Sequence, residues 1–186
     1  MSLTVITPPA EPVIALEDAL DFLRMGHDGE AALVTDLVKA ATARLEAASG
    51  LSLVTRTLSR KFRQWPATLS GIGFILRPKP VLRLRSVVSV ADDGTEEDVT
   101  SRFQLHAGRL VVRPWSVAPA ISRGGTAVIT FDSGFGSAAT VPEDLKLAVL
   151  QLVAEAYRTG RTELDGDAGF PPNVAGTILA YREFRV

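Results

Sequence analysis

The side chains in this sequence that could do chemistry are few and scattered. His27 and His106 are the natural general bases or metal ligands, but both fall in expected turns. Neither has helpers at the spacing that a metal centre or a catalytic triad needs. Glu96-Glu97-Asp98 offers paired carboxylates of the kind used in general acid–base catalysis. It follows the turn Asp92-Asp93-Gly94-Thr95 and is expected as a solvated loop. Asp165-Gly166-Asp167 looks like part of a calcium loop, but the further ligands and the closing glutamate are missing. Gly71-Ile72-Gly73 and Ser122-Arg123-Gly124-Gly125 lack the strand–GxGxxG–helix context, and no phosphate-loop lysine follows. Ser133-Gly134 lacks the glycine spacing of a nucleophile elbow. The chain has no cysteine, which removes disulfides, thiolate ligands and thiol nucleophiles. The expectation is a protein with no catalytic residue, no metal site and no cofactor, not an enzyme.

What remains is charge. The net charge of −1 hides strong segregation. Residues 1–46 carry eight acids and three bases, whereas residues 47–91 carry eight bases and no acid. Those bases are Arg56, Arg60, Lys61, Arg63, Arg77, Lys79, Arg83 and Arg85. Residues 92–101 then carry five acids and no base. Such segregation suits contact with a polyanion, or contact between copies of one protein. Phosphate contact needs only positive charge and is independent of sequence. Trp65 and Phe74 are candidate stacking residues near that charge, with packing in a core or an interface as the alternative. No sequence-specific recognition motif is present.

These residues must be positioned by elements that the periodicity reveals. At 186 residues the chain fits one domain, or one domain with an insertion. No apolar run approaches the roughly 20 residues of a membrane span, and Met1 to Glu11 lacks the order of a secretory signal. Residues 1–15 are expected as an extended arm, because Pro8, Pro9 and Pro12 forbid regular helix. Helical spacing marks about 16–25 and about 30–49, broken at Gly26-His27-Asp28-Gly29 and closed by Gly50. In the second helix Leu33, Val34, Leu37, Val38, Ala41, Leu45 and Ala48 form the apolar face.

From Leu53 the period changes to alternation, which is strand chemistry. Further strands are expected over Phe74–Leu76, Leu82–Val90, Phe103–Leu105, Leu110–Val112 and 126–131. In the second of these, Leu82, Leu84, Val88 and Val90 are the apolar set. Glycines at 134 and 136 then turn the chain, and Pro142 opens a third helix over about 142–159. Leu145, Ala148, Val149, Leu152, Val153 and Ala156 form its stripe, and Gly160 ends it. Asn173 is the expected cap of a short helix over about 174–182. The organisation is therefore 1–15 arm, 16–50 helices, 51–131 β-subdomain, 132–160 third helix, and 161–186 loop and terminal segment. The fold class is α+β: a helical core with an inserted, mostly antiparallel β-subdomain and a short C-terminal helix.

Taken in order, these segments resemble the head–tail connector (adaptor) proteins of long-tailed bacteriophages, of the gp6-like and gp8-like kind. The resemblance runs from Leu16-Glu17-Asp18-Ala19-Leu20-Asp21-Phe22-Leu23-Arg24 through Thr55-Arg56-Thr57-Leu58 and Leu76-Arg77-Pro78-Lys79-Pro80-Val81. It continues through Val87–Val90, Phe131 to Glu143 and Pro172 to Arg182. The chain departs from the family at Ser49-Gly50-Leu51, which lacks the usual arginine, and at Ala15, where a capping serine or threonine is common.

The resemblance implies a virion structural part, in a phage or a phage-derived gene transfer agent, assembled in the bacterial cytoplasm and resident in the particle neck. It implies a ring, typically of twelve copies, that lies under the portal protein, extends the DNA channel and meets a downstream neck or tail-terminator protein. No membrane is involved, and contact with DNA is non-specific proximity. By the same analogy the C-terminal segment docks on the portal, through Pro172, Val174, Ile178, Leu179, Tyr181, Arg182 and Phe184. The basic residues of 47–91 would face either the DNA channel or the acidic helices of the next copy. The alternative reading is a module that binds duplex DNA non-specifically through its basic central strands.

Overall fold

In the computed structural model, residues 2–25, 30–159 and 169–182 are described. The chain divides into two units, one of residues 1–10 and 55–134 and one of residues 11–54 and 135–186.

The first unit is built from strands. β1 (Ser2–Thr7), β2 (Arg56–Phe62), β4 (Val81–Val90), β5 (Glu96–Asp98) and β8 (Thr126–Ser133) form an antiparallel sheet in the order β1-β2-β8-β4-β5. β3 (Phe74–Ile75), β6 (Phe103–His106) and β7 (Arg109–Val112) form a second sheet in the order β3-β7-β6. Successive side chains of a strand point to opposite faces. Leu58 and Phe62 of β2 therefore share a face with their partners Phe131 and Ala127 of β8. These residues pack with Val87, Phe103 and Leu110 in one buried cluster drawn from both sheets. Phe62, Phe103 and Phe131 are its largest fully buried side chains. Each is worth roughly 1.5–3 kcal/mol of burial.

Three expectations about strands change here. Residues 2–7 are not an unpaired arm. Thr4-Val5-Ile6-Thr7 is β-branched throughout, and the prolines fall beyond it, so the segment pairs with β2 as an edge strand. Leu53 and Val54 do not start a strand; they lie in the core of the helical unit. In β4 the apolar phase is not constant. Leu84 lies opposite Phe131 and Ser86 opposite Thr130, so Arg85 is an extra, bulged residue. A one-residue bulge shifts every later side chain to the other face. Val87 is therefore the fully buried residue of this strand, while Leu82, the extra residue of an earlier irregularity between Val81 and Arg83, stands exposed.

The second unit is built from helices: α1 (Leu16–Leu23), α2 (Ala31–Ser49), α3 (Glu143–Arg158) and α4 (Pro172–Tyr181). The α3 stripe is Leu145, Ala148, Val149, Leu152, Val153 and Ala156, as periodicity predicts. It packs with Val34, Leu37, Val38, Ala41 and Leu45 of α2, with Ala19 and Leu20 of α1, and with Val174 and Ile178 of α4. Leu33, expected on the inner face of α2, is exposed in its first turn. Gly50 caps α2 in the left-handed region, φ 73°, with its N–H on the Glu46 carbonyl at 2.9 Å. α4 starts two residues earlier than expected, and Asn173 lies inside it rather than capping it. Pro171 is extended and Pro172 is the first helical residue, whose fixed φ suits that position without a side-chain cap.

The 134–142 turn is held by side-chain bonds, two within it and one from the distant Glu11. The Thr140 hydroxyl donates to the carbonyls of Ser137 and Phe135, and Ala138 N–H donates to the Glu11 carboxylate at 2.7 Å. Gly136 has φ 122°, and a Cβ there would run into the Thr140 hydroxyl, so only glycine fits. The expected break at Gly26-His27-Asp28-Gly29, the helix end at Gly160 and the tail from Glu183 lie outside the described residues.

Candidate interaction surface

The eight cations of 47–91 do not form one patch; the structure sorts them by strand and face. Arg83 and the bulged Arg85 converge on Asp132 of β8. Arg85 Nε donates to Oδ1 at 2.7 Å, and Arg83 donates to Oδ2 from Nη2 at 3.1 Å and from Nε at 3.3 Å. The Thr57 hydroxyl adds a third donor at 2.9 Å. Asp132 is buried, and burial alone would push its carboxyl up. The hydrogen bonds from Arg85, Thr57 and Arg83, with the Arg85 charge, outweigh that and hold it below the usual carboxylate range. The same bond raises the Arg85 guanidinium. Arg83 and Arg85, two residues apart on β4, thus reach a single carboxylate, Arg83 from the position opposite Asp132 and Arg85 from the bulge.

Arg60 of β2 lies opposite Ile129. Its guanidinium stands 5.4 Å from the Phe74 ring centre and 5.6 Å from that of Phe62. Burial, and then the charge of Arg77, push its pKa down. Arg56, Arg77 and Lys79 are half-buried. Lys61 and Arg63 are exposed. They line a cleft of about 680 Å³ with Ser2, Phe62, Gln64, Trp65, Pro66, Ala67 and Thr126.

The two candidate stacking residues are engaged in packing. Trp65 lies 5.2 Å from Phe103 and donates its indole N–H to the Pro119 carbonyl at 2.7 Å. Phe74 sits edge-on to Phe62 at 5.3 Å.

The C-terminal candidates also divide. Val174 and Ile178 are buried in the helical core, so they seat α4 itself. The Tyr181 hydroxyl donates to Asp144 at 3.0 Å, and burial followed by that carboxylate raises its pKa. Pro172, Leu179 and Arg182 are exposed, and Phe184 lies outside the described residues. An apolar face of a ten-residue helix that packs inward leaves only its outer positions to a partner.

His106 is exposed at the β6–β7 turn; His27 and Asp165-Gly166-Asp167 lie outside the described residues. Glu96-Glu97-Asp98 is not a loop but the short strand β5, paired to Val88–Val90 and exposed at all three positions. Among the described residues no three His, Asp or Glu side chains are placed to hold a metal ion. No helix of these residues is long and apolar enough to cross a membrane.

Sequence reasoning missed two features. One is Asp132, the single acid of 102–141, a signal that was there to read. The other is Trp115. It occupies the third position of a turn closed by Ser116 N–H on the Arg113 carbonyl at 3.1 Å, with φ 64° and its side chain fully exposed. A bulky residue in this backbone region is strained. Val117 beside it is 79% exposed.

Over its whole length the chain is similar to chains in solved gene transfer agent (GTA) particles. These are the neck of an empty GTA particle computed with C6 symmetry (TM-score 0.85), the virion of a native GTA particle (0.84) and the neck of a native GTA particle computed with C12 symmetry (0.81). In each case the identity is 27%, covering 100% of this chain and 97% of the other. No protein-family model matches the sequence, and no curated protein matches it.

Proposed function

We propose that this chain is a structural adaptor in the neck of a tailed phage or gene transfer agent particle, joining capsid to tail as one copy of a ring. The observation that carries the reading is the end-to-end likeness to a chain of GTA particle necks, at 27% identity and with 97% of that chain covered. A partial match would support a shared module; a match of this extent supports a likeness of the whole chain. The C6 and C12 symmetry of those necks supports a ring, with twelve copies as the count that divides by both. The ordered resemblance to phage connectors supports the same role from the sequence side.

In this reading the ring extends the DNA channel below the portal protein and presents its other side to the next neck protein. Pro172, Leu179 and Arg182, exposed on and after α4, are the portal-facing residues. The adaptor needs no catalytic residue, metal or cofactor. An independent DNA-binding module draws less support. Its cations are dispersed over several strands, and Arg83 and Arg85 are matched to Asp132.

Deleting the gene and imaging the particles tests the proposal. Filled capsids without attached tails are expected. Tailed, complete particles from the deletion strain, or particles whose necks lack this chain in the parent strain, would overturn it.

A further inference from the structure

The cleft at the β1–β2 edge of the five-stranded sheet has a mixed lining. Phe62, Trp65 and Pro66 supply apolar area, and Lys61 and Arg63 supply exposed positive charge. Beside it β1 is an edge strand, with Leu3, Val5 and Ile6 each about half exposed. The opposite edge of the same sheet carries the opposite charge. Asp92, Asp93, Glu96, Glu97 and Asp98 are all exposed, and no cation lies among residues 92–98. Asp93 and Asp98 are fixed by the N–H groups of Thr95 and Thr100 at 2.9 and 2.8 Å. The loop that holds Trp115 is rooted at this edge: Arg113 N–H donates to the Arg102 carbonyl, Arg102 pairs with Glu97, and Gly124 lies against Asp92.

We propose that the β1–β2 cleft of one copy receives the acidic β4–β5 edge of a second copy, joining copies head to tail through opposite edges of one sheet. This names the contact within the ring proposed above and rests on that reading. A head-to-tail contact uses two different surfaces, so it repeats around a ring until it closes. Pairing β5 with β5 would set like charges together, which is how natural sheets prevent edge association. Lys61 and Arg63 in the cleft beside β1 remove that penalty, and the acidic edge of the same chain is their electrostatic complement. Exposed Trp115 and Val117, on the loop rooted there, bring apolar surface to a cleft lined partly by aromatic rings.

Because the chain has no cysteine, the contact can be read cleanly by cross-linking. Full-length protein carrying both Arg63→Cys and Glu96→Cys, treated with a short bismaleimide at high concentration, is expected to give a ladder of dimers, trimers and higher species. Each single variant should stop at dimers. Charge reversal provides the second arm. Lys61→Glu/Arg63→Glu and Glu96→Lys/Glu97→Lys should each weaken self-association at least tenfold, and the quadruple variant should recover it. A double-cysteine chain that yields no more than the singles, or a quadruple variant no better than its halves, overturns the contact. Electron microscopy of particle necks separates the two proposals. A neck ring containing this chain, with cross-link and swaps inert, removes the edge contact and leaves the neck role standing. Laddering by a chain absent from particles removes the neck role and leaves the contact.

Discussion

Asp132 organises the face of its sheet opposite to that of Phe131, because three donor residues meet on one buried carboxylate. Its pKa is depressed in the folded state, so its contribution is present above the ordinary carboxylate range near pH 4. That contribution is lost as the pH falls through the folded value. Asp132→Asn should therefore cost about 1–2 kcal/mol at pH 7, since Arg83 and Arg85 are partly solvated. Urea unfolding of both proteins from pH 7 to pH 3 should show the difference shrinking in acid. A difference that grows in acid would refute the assignment. The two tryptophans make a contrasting pair. Trp65→Ala should destabilise by about 3 kcal/mol, because the ring is packed and its N–H bonded. Trp115→Asn should leave stability unchanged or raise it by up to about 1 kcal/mol, because asparagine tolerates the left-handed region better. Thermal unfolding of the two variants decides it.

At the scale of elements, α3 is legible in the sequence because one face of a 3.6-residue period carries its buried apolar residues. Leu152→Ala, at the centre of that stripe and fully buried, should cost about 2–5 kcal/mol in chemical denaturation. Leu147→Ala, on the exposed face of the same helix, should stay within about 0.5 kcal/mol. β4 is legible as a strand but not in its phase. The bulge at Arg85 depends on how β4 meets β8, a strand distant in sequence. Deleting Arg85 should remove this bulge, leave Val87 opposite Ile129 and lower stability in urea unfolding only through the lost bond to Asp132. A deletion variant that loses far more stability than Arg85→Ala would show that Arg85 is not an extra residue in the pairing. α4 shows the same division: its existence is readable from the residues, but its start depends on Pro171-Pro172 rather than Asn173.

At the scale of the whole molecule, the proposed edge contact draws on the charge segregation, and it has a direct ionic-strength consequence. Self-association through complementary edges should weaken as salt rises from about 0.05 to about 0.5 M, where the screening length falls to a few ångströms. Sedimentation at a fixed protein concentration measures this. An association indifferent to salt would mean that copies meet through apolar surface alone. Mutations at Arg83 or Arg85 should act differently, lowering stability first, because their charge is matched within the chain.

What the sequence determined by itself was the inventory: four helices and a set of strands in order, no recognisable catalytic motif, and charge sorted into blocks. Periodicity and composition are local, so they can be read without knowledge of partners in space. What only the tertiary structure decided was which charges are available to a partner. The eight cations of 47–91, with no acid among them, read as one basic face. Sheet pairing gives two of them to Asp132, sets Arg60 over aromatic rings and leaves Lys61 and Arg63 exposed along a cleft. The acidic run at Glu96-Glu97-Asp98 reads as a loop and forms the opposite edge of the same sheet. Residue types are written in the chain, but adjacency across strands is set by long-range pairing, and adjacency decides whether a charge is matched at home or offered to a neighbour.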